Sequence, residues 1–336
     1  MSKNINTHID ERIKYIRSLL KAGKPEFAQF EAAKLVAEYP NNVMALCLMT
    51  YVFYLVNDLK NALRYSKITL SKITPAASWQ EMISASNALL MVGEVEEANA
   101  VLQDLDLEKI TDTNDLCYIA KHYGSLEQIE MSVKIFKSIS DKQLDFHSRQ
   151  MYGVGLLYLG EFDKARAEFE KAIELNSLDG VSYNQLSVLK IKEGREERIA
   201  KMEAILGAQS LDAVNRSYIH FSLFNELDAK NETGLAWEHL QKANTVRRAT
   251  VHFDAAHDVA GCRNIIQSCR KIQSSAITHE DQSVPIFIVG LPRTGTTLLE
   301  KILSSFDEVV PCGELRAFRR ELEIAANSNF SSPFGL

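Results

Sequence analysis

Residues 284–305 read VPIFIVGLPRTGTTLLEKILSS: an apolar run, a loop of glycine and threonine, then an amphipathic segment. Gly290, Gly295 and Thr297 fall into the register of the nucleotide phosphate loop G-x-x-x-x-G-K-[ST], but Thr296 stands in the lysine's place. Without that lysine, the terminal phosphate of ATP would lose its main charge partner. The loop's one fixed cation is Arg293, whose planar, bidentate guanidinium suits an oxyanion group approached from another angle. Backbone N–H groups at a helix start lack intrahelical partners and favour anions. Gly295 lets the backbone wrap closely around such a group, and the hydroxyls of Thr296 and Thr297 add donors. The chemistry implied is an anion cradle whose charge has moved from the lysine position to Arg293.

Two elements must position that loop. Ile286–Val289 is a continuous apolar run of strand length, the pattern of a parallel strand covered on both faces. Leu298, Leu299, Ile302 and Leu303 give the following segment a helical apolar face. A chance Gly/Thr turn is the alternative, and the strand–loop–helix order argues against it.

Ahead of the loop the chain repeats. Gly23, Asn57, Gly93, Gly160, Gly194 and Asn231 mark turn-like points about 34 residues, or twice that, apart. Five residues after each stand Ala28, Ala62, Ala98, Ala165, Ile199 and Ala236, mostly small residues that let two helices approach. The clearest unit is YGVGLLYLGEFDKARAEFEKAIELN, with Leu156 and Leu159 on one helix face and Ala165, Phe169 and Ala172 on the next. Around 113–144 the pattern weakens, because HYGSLEQIEMSVKIF lacks a small residue at the expected offset.

Period and pattern resemble the tetratricopeptide repeat, with six clear units and one degenerate. The resemblance implies a mostly α chain, a helical solenoid over residues 9–246 whose concave surface grips a peptide or protein partner. Residues 247–283 read as a helical connector and linker, with Phe253, Val259, Ile265, Ile266 and Ile272 as candidate buried positions. His252 and His257 lie five apart and do not share a helical face, so no metal site is expected there.

Residues 284–336 look like the start of an α/β P-loop domain of the sulfotransferase type. Leu291-Pro292-Arg293-Thr294-Gly295-Thr296-Thr297 resembles the 5′-phosphosulfate loop of enzymes that use 3′-phosphoadenosine 5′-phosphosulfate. LLEKILSSFDEVVPCGEL is similar to the segment that follows it in the protein-tyrosine sulfotransferase branch. The resemblance implies that Pro292, Arg293, Thr294, Gly295, Thr296 and Thr297 bind the co-substrate. In it Arg293 stabilises the transferring group, Glu314 in CGEL is the catalytic base, and no metal takes part. Thr294 replaces the commoner serine, and Phe306-Asp307 stand where His-Pro is usual. Only 22 residues follow Glu314, too few for the several parallel strands of a doubly wound sheet. The expectation is therefore a sulfotransferase truncated within its catalytic domain. The contrasting reading is a repeat-based peptide-binding scaffold with a vestigial loop.

Composition narrows the rest. A net charge of −6 argues against a nucleic-acid binder, which needs clustered Lys and Arg. No apolar run reaches membrane-span length, and the polar start MSKNINTHIDERIKY has no signal-peptide core, so the cytoplasm is the expected location. Cys47, Cys117, Cys262, Cys269 and Cys312 are scattered without metal-ligand spacing and read as small hydrophobes or idle thiols.

Overall fold

The computed structural model describes residues 2–251, 253–270, 284–291, 293–313, 320, 321 and 324. Its chain divides into two compact units, Met1–Gln103 with Ala255–Leu336, and Asp104–Asp254. Three helix pairs form the repeats of the first unit: α1 (Ser2–Lys21) with α2 (Pro25–Glu38), α3 (Val43–Leu55) with α4 (Leu59–Lys72), and α5 (Trp79–Met91) with α6 (Val95–Ala100). Four form the second: α7 (Thr113–Ser125) with α8 (Ile129–Ser138), α9 (Phe146–Tyr158) with α10 (Phe162–Leu175), α11 (Gly180–Val188) with α12 (Arg195–Leu206), and α13 (Ala213–Asp228) with α14 (Thr233–Ala249). Two helices of the first unit follow, α15 (Ala255–Cys269) and α16 (Thr296–Leu303).

Short polar side chains start the leading helices. Asn42, Ser78, Asp112, Asp145, Asp179 and Asp212 each accept a bond from a backbone N–H of the first turn, a cap typically worth about 1 kcal/mol. The six turn residues marked by the sequence all have left-handed φ, from 59° at Asn57 to 84° at Gly93. Ala28, Ala62, Ala98, Ala165 and Ala236 are buried to 1% exposure or less, so their missing side chains are what allows the helices to touch. Leu156, Ala165 and Phe169 share a core with Val133 and Leu186, as the periodicity predicts.

The degenerate unit is more regular than its sequence. Its turn falls on Glu127 (φ 62°), three residues past Gly124, and five residues further stands Ser132, small and buried. The small residue is therefore present. A glutamate in left-handed conformation carries no sequence flag, and measuring from Gly124 misplaces the register. Glutamate pays roughly 1–2 kcal/mol there that glycine does not, less glycine's extra entropy in the unfolded chain. Glu127→Gly should raise the urea midpoint, by a stability gain of about 0.5–1 kcal/mol. A lowered midpoint would mean that the left-handed turn is not strained.

The sixth pair departs from the pattern. Its turn runs from Lys190 (φ 54°) to Gly194 (φ 67°), so Gly194 closes the turn rather than opening it. Three residues into α12, where the other second helices carry Ala or Ser, stands Arg198, buried. Its guanidinium donates to the carbonyls of Ile191 and Glu193 and, at 2.8 Å, to the carboxylate of Glu226. Arg195 donates to the other Glu226 oxygen at 2.8 Å and to Lys190 O and Ala229 O. One carboxylate, 1% exposed, thus anchors two arginines that stitch a long turn to the end of α13.

Two buried histidines of the second unit lie below the usual imidazole range. Burial pushes His122 down to about 4, and burial together with His239 and Lys242 does the same to His220. His220 and His239 meet with Nδ1 atoms 3.0 Å apart across α13 and α14, so one ring donates and the other accepts. A histidine depressed in the folded state favours folding above its unfolded value of about 6.5 and loses that contribution as pH falls towards 4. Unfolding midpoints of the chain should drop between pH 7 and pH 4.5, and His122→Leu should flatten part of the slope. An unchanged slope would remove His122 from the account.

Two sequence expectations meet corrections here. Among the described residues there is no strand: 284–290 form no regular element, with Val284 83%, Ile286 61% and Val289 91% exposed. A strand needs at least one paired neighbour, and among the described residues none flanks it. Phe253, Val259 and Ile266, offered as buried, are exposed; for the latter two, on α15, no described helix makes an extensive contact along it. The side chain of Ile265 and all of Ile272 lie outside the described residues, as do His252 and the proposed boundary at 283. Cys47 and Cys117 are buried, with burial pushing the Cys47 thiol up to about 12, whereas Cys262 and Cys312 are exposed.

Candidate anion-binding loop

The loop is built around two glycines. A side chain at Gly290 would place its Cβ 2.7 Å from Thr294 Oγ1 and 3.1 Å from Thr296 Cγ2, so the loop closes on itself only over a glycine. Gly295 adopts φ 92° and caps α16, a conformation that side chains resist. Its carbonyl accepts from Leu299 N at 3.0 Å, which starts the helical ladder. No side chain caps α16, so the amides of Thr296, Thr297 and Leu298 open the helix without an intrahelical acceptor. They carry the partial positive charge of a helix start.

Arg293 also lies in the left-handed region, at φ 68°. An arginine there costs roughly 1–2 kcal/mol over glycine, a strain of the kind that gathers at functional loops. Among the described residues its exposed guanidinium has no ion-pair partner. Thr294 takes a different part from Thr296 and Thr297. Its hydroxyl donates to Leu291 O at 2.7 Å and its N–H reaches the same oxygen at 3.3 Å, so Thr294 ties the loop's neck. Thr297 is exposed and Thr296 half-buried, both in the first turn of α16. Pro292 and Glu314 lie outside the described residues.

One residue that spacing did not mark holds the segment ahead of Glu314. Glu300, on α16, accepts from Gly313 N at 2.8 Å, and Gly313 turns with φ 61°. Between them Phe306-Asp307 form a turn, with Val309 N donating to Phe306 O at 3.0 Å. The chain just before Glu314 is thereby brought back against the helix that the loop opens. Leu298 (66%), Leu299 (45%) and Ile302 (53%) on α16 remain exposed. Among the described residues no group of three or more His, Cys, Asp or Glu could hold a metal ion, and no helix is long and apolar enough to cross a membrane.

Comparison with known proteins bears on this loop directly. Residues 285–332 match the model of the sulfotransferase family. The chain thus joins a run of paired helices to a segment that is similar to the sulfotransferase family. An uncharacterized protein of Aquifex aeolicus (strain VF5) is 26% identical over 166 residues, which are 48% of this chain and 21% of that relative. The chain therefore spans about a fifth of the length of the curated relative it matches. Solved structures similar to it include a tetratricopeptide repeat protein from Parabacteroides merdae ATCC 43184, at 16% identity and a TM-score of 0.47, covering 71% of this chain and 93% of that one. Another is the C-terminal part of a repeat protein from Cytophaga hutchinsonii, at 15% identity and 0.46, covering 70% and 95%. YrrB, a repeat protein with an unusual peptide-binding site, is similar at 16% identity and 0.33, covering 65% and 92%. The sulfotransferase segment holds the whole of the loop, from Gly290 to Thr297.

Proposed function

We propose that the loop Gly290–Thr297 binds the 5′-phosphosulfate of 3′-phosphoadenosine 5′-phosphosulfate, and that the sulfotransferase segment serves sulfuryl transfer to a hydroxyl acceptor. The observation that supports this most is the left-handed Gly295 opening an uncapped α16 beside Arg293, in a loop without the nucleotide-binding lysine. Thr294 ties the neck of the loop, Gly295, Thr296 and Thr297 supply donors to phosphate oxygens, and Pro292 joins them in binding the co-substrate. As the bond from sulfur to the bridging oxygen breaks, charge shifts across the transferring sulfuryl group and the bridging phosphate oxygen, and Arg293 is the group that meets it. Glu314 takes the proton of the attacking hydroxyl. The acceptor we propose is a tyrosine in a cytoplasmic protein, presented by the repeats.

Calorimetric titration with 3′-phosphoadenosine 5′-phosphate, with ATP as competitor, tests this reading. Binding that excess ATP does not displace is the expected result. Binding of ATP with none of the adenosine bisphosphate would return the loop to the nucleotide class. A second reading has its own observation: Val284, Ile286, Phe287 and Val289 of the apolar run are exposed, and among the described residues no sheet covers them. If neither ligand bound while a peptide did, the chain would act as a repeat scaffold.

A further inference from the structure

The repeats supply a control for one contact in the sulfotransferase segment. Glu94, Glu161 and Glu232 occupy one position in three pairs: each directly follows the left-handed turn residue and precedes the second helix. The Glu161 and Glu232 side chains are 36% and 37% exposed and pair locally, with Lys164 and Lys230. Glu94 is 11% exposed, and its partner is Arg320, more than two hundred residues away in sequence. Arg320 Nη1 lies 2.5 Å from Glu94 Oε1 and donates at 2.5 Å to Val92 O. Val92 is the C-cap of α5, where carbonyls lack helical donors and a cation is favoured by the helix dipole. The remaining guanidinium nitrogens bind Glu321 at 2.7 and 2.9 Å.

Arginine is rarely buried unless all its donors are used, and Arg320 is 9% exposed with every nitrogen engaged. We propose that the α5–α6 turn is the seat on which the repeats hold the sulfotransferase segment, with Arg320 as the anchoring residue. The equivalent glutamates lack this partner, so the seat belongs to the third pair and is not a general property of the repeat. The proposal does not depend on what the loop binds.

Hydrogen exchange on the full chain tests it through a double-mutant cycle of Glu94→Gln and Arg320→Gln. The peptide carrying Arg320 and Glu321 is expected to exchange at least about tenfold faster in each single variant, and no faster in the double. Glu161→Gln, the same change at an unseated position, should leave that peptide unchanged. Should Glu94→Gln loosen the repeats themselves, Arg320→Gln alone decides, read against unaltered exchange in the α3 core. Unchanged exchange in Arg320→Gln, or effects that multiply in the double variant, would overturn the proposal.

Discussion

Glu226→Ala is expected to lower the unfolding free energy by about 3–5 kcal/mol, the range for removing one partner of a buried ion pair. Glu226 is 1% exposed and its two oxygens face Arg195 and Arg198, both at 2.8 Å. Removing it leaves two guanidiniums in low dielectric with only carbonyls as acceptors. It also unties the turn from Lys190 to Gly194, which Arg195 and Arg198 reach through backbone oxygens. Glu226→Gln keeps one acceptor and should lose less. Glu197→Ala, which breaks an exposed pair with Lys201, should lose under about 0.5 kcal/mol. Urea denaturation followed by circular dichroism ranks the three. A loss at Glu226→Ala no larger than at Glu197→Ala would show that the turn does not depend on the carboxylate.

The same region shows what the sequence could and could not disclose. Regular units were legible because two local requirements leave marks: a turn residue tolerant of positive φ, and a small residue where helices touch. The small-residue mark fails in the sixth pair, where Arg198 takes the small position and the turn lengthens so that Gly194 closes it. The compensating acid, Glu226, is 28 residues further along, and no spacing rule links them. Glu127 escaped for the opposite reason, since a glutamate at φ 62° looks like any helical glutamate. The shape of the loop was legible because it is local: Gly290 and Gly295 mark, within six residues, the close approach and the left-handed turn that open α16. Its surroundings were not. Ile286–Val289 reads as a strand, but pairing is a property of neighbours, and among the described residues it has none. Glu300 and Arg320 act at a distance, through a backbone N–H and a helix end, and neither carries a motif.

Arg293→Gly separates function from stability at the loop. Arg293 sits at φ 68°, where glycine rests without the penalty of a side chain, so this change should leave the chain's unfolding midpoint equal or higher. A charge-assisted hydrogen bond to a phosphate oxygen is worth about 1.5–3 kcal/mol, so the same change should weaken binding of 3′-phosphoadenosine 5′-phosphate by roughly 10- to 150-fold. Arg293→Lys should recover only part of the loss, because an ammonium restores charge without the bidentate fork. Calorimetry for affinity and thermal unfolding for stability, on the same preparations, read both quantities. If affinity is unchanged in Arg293→Gly, the helix-start amides hold the anion alone and the loop's charge has not moved to Arg293. If affinity and stability fall together, the arginine supports the fold of the loop and its left-handed backbone is not a strain held for binding. Loss of affinity with stability retained is the combination that only a ligand-facing Arg293 produces.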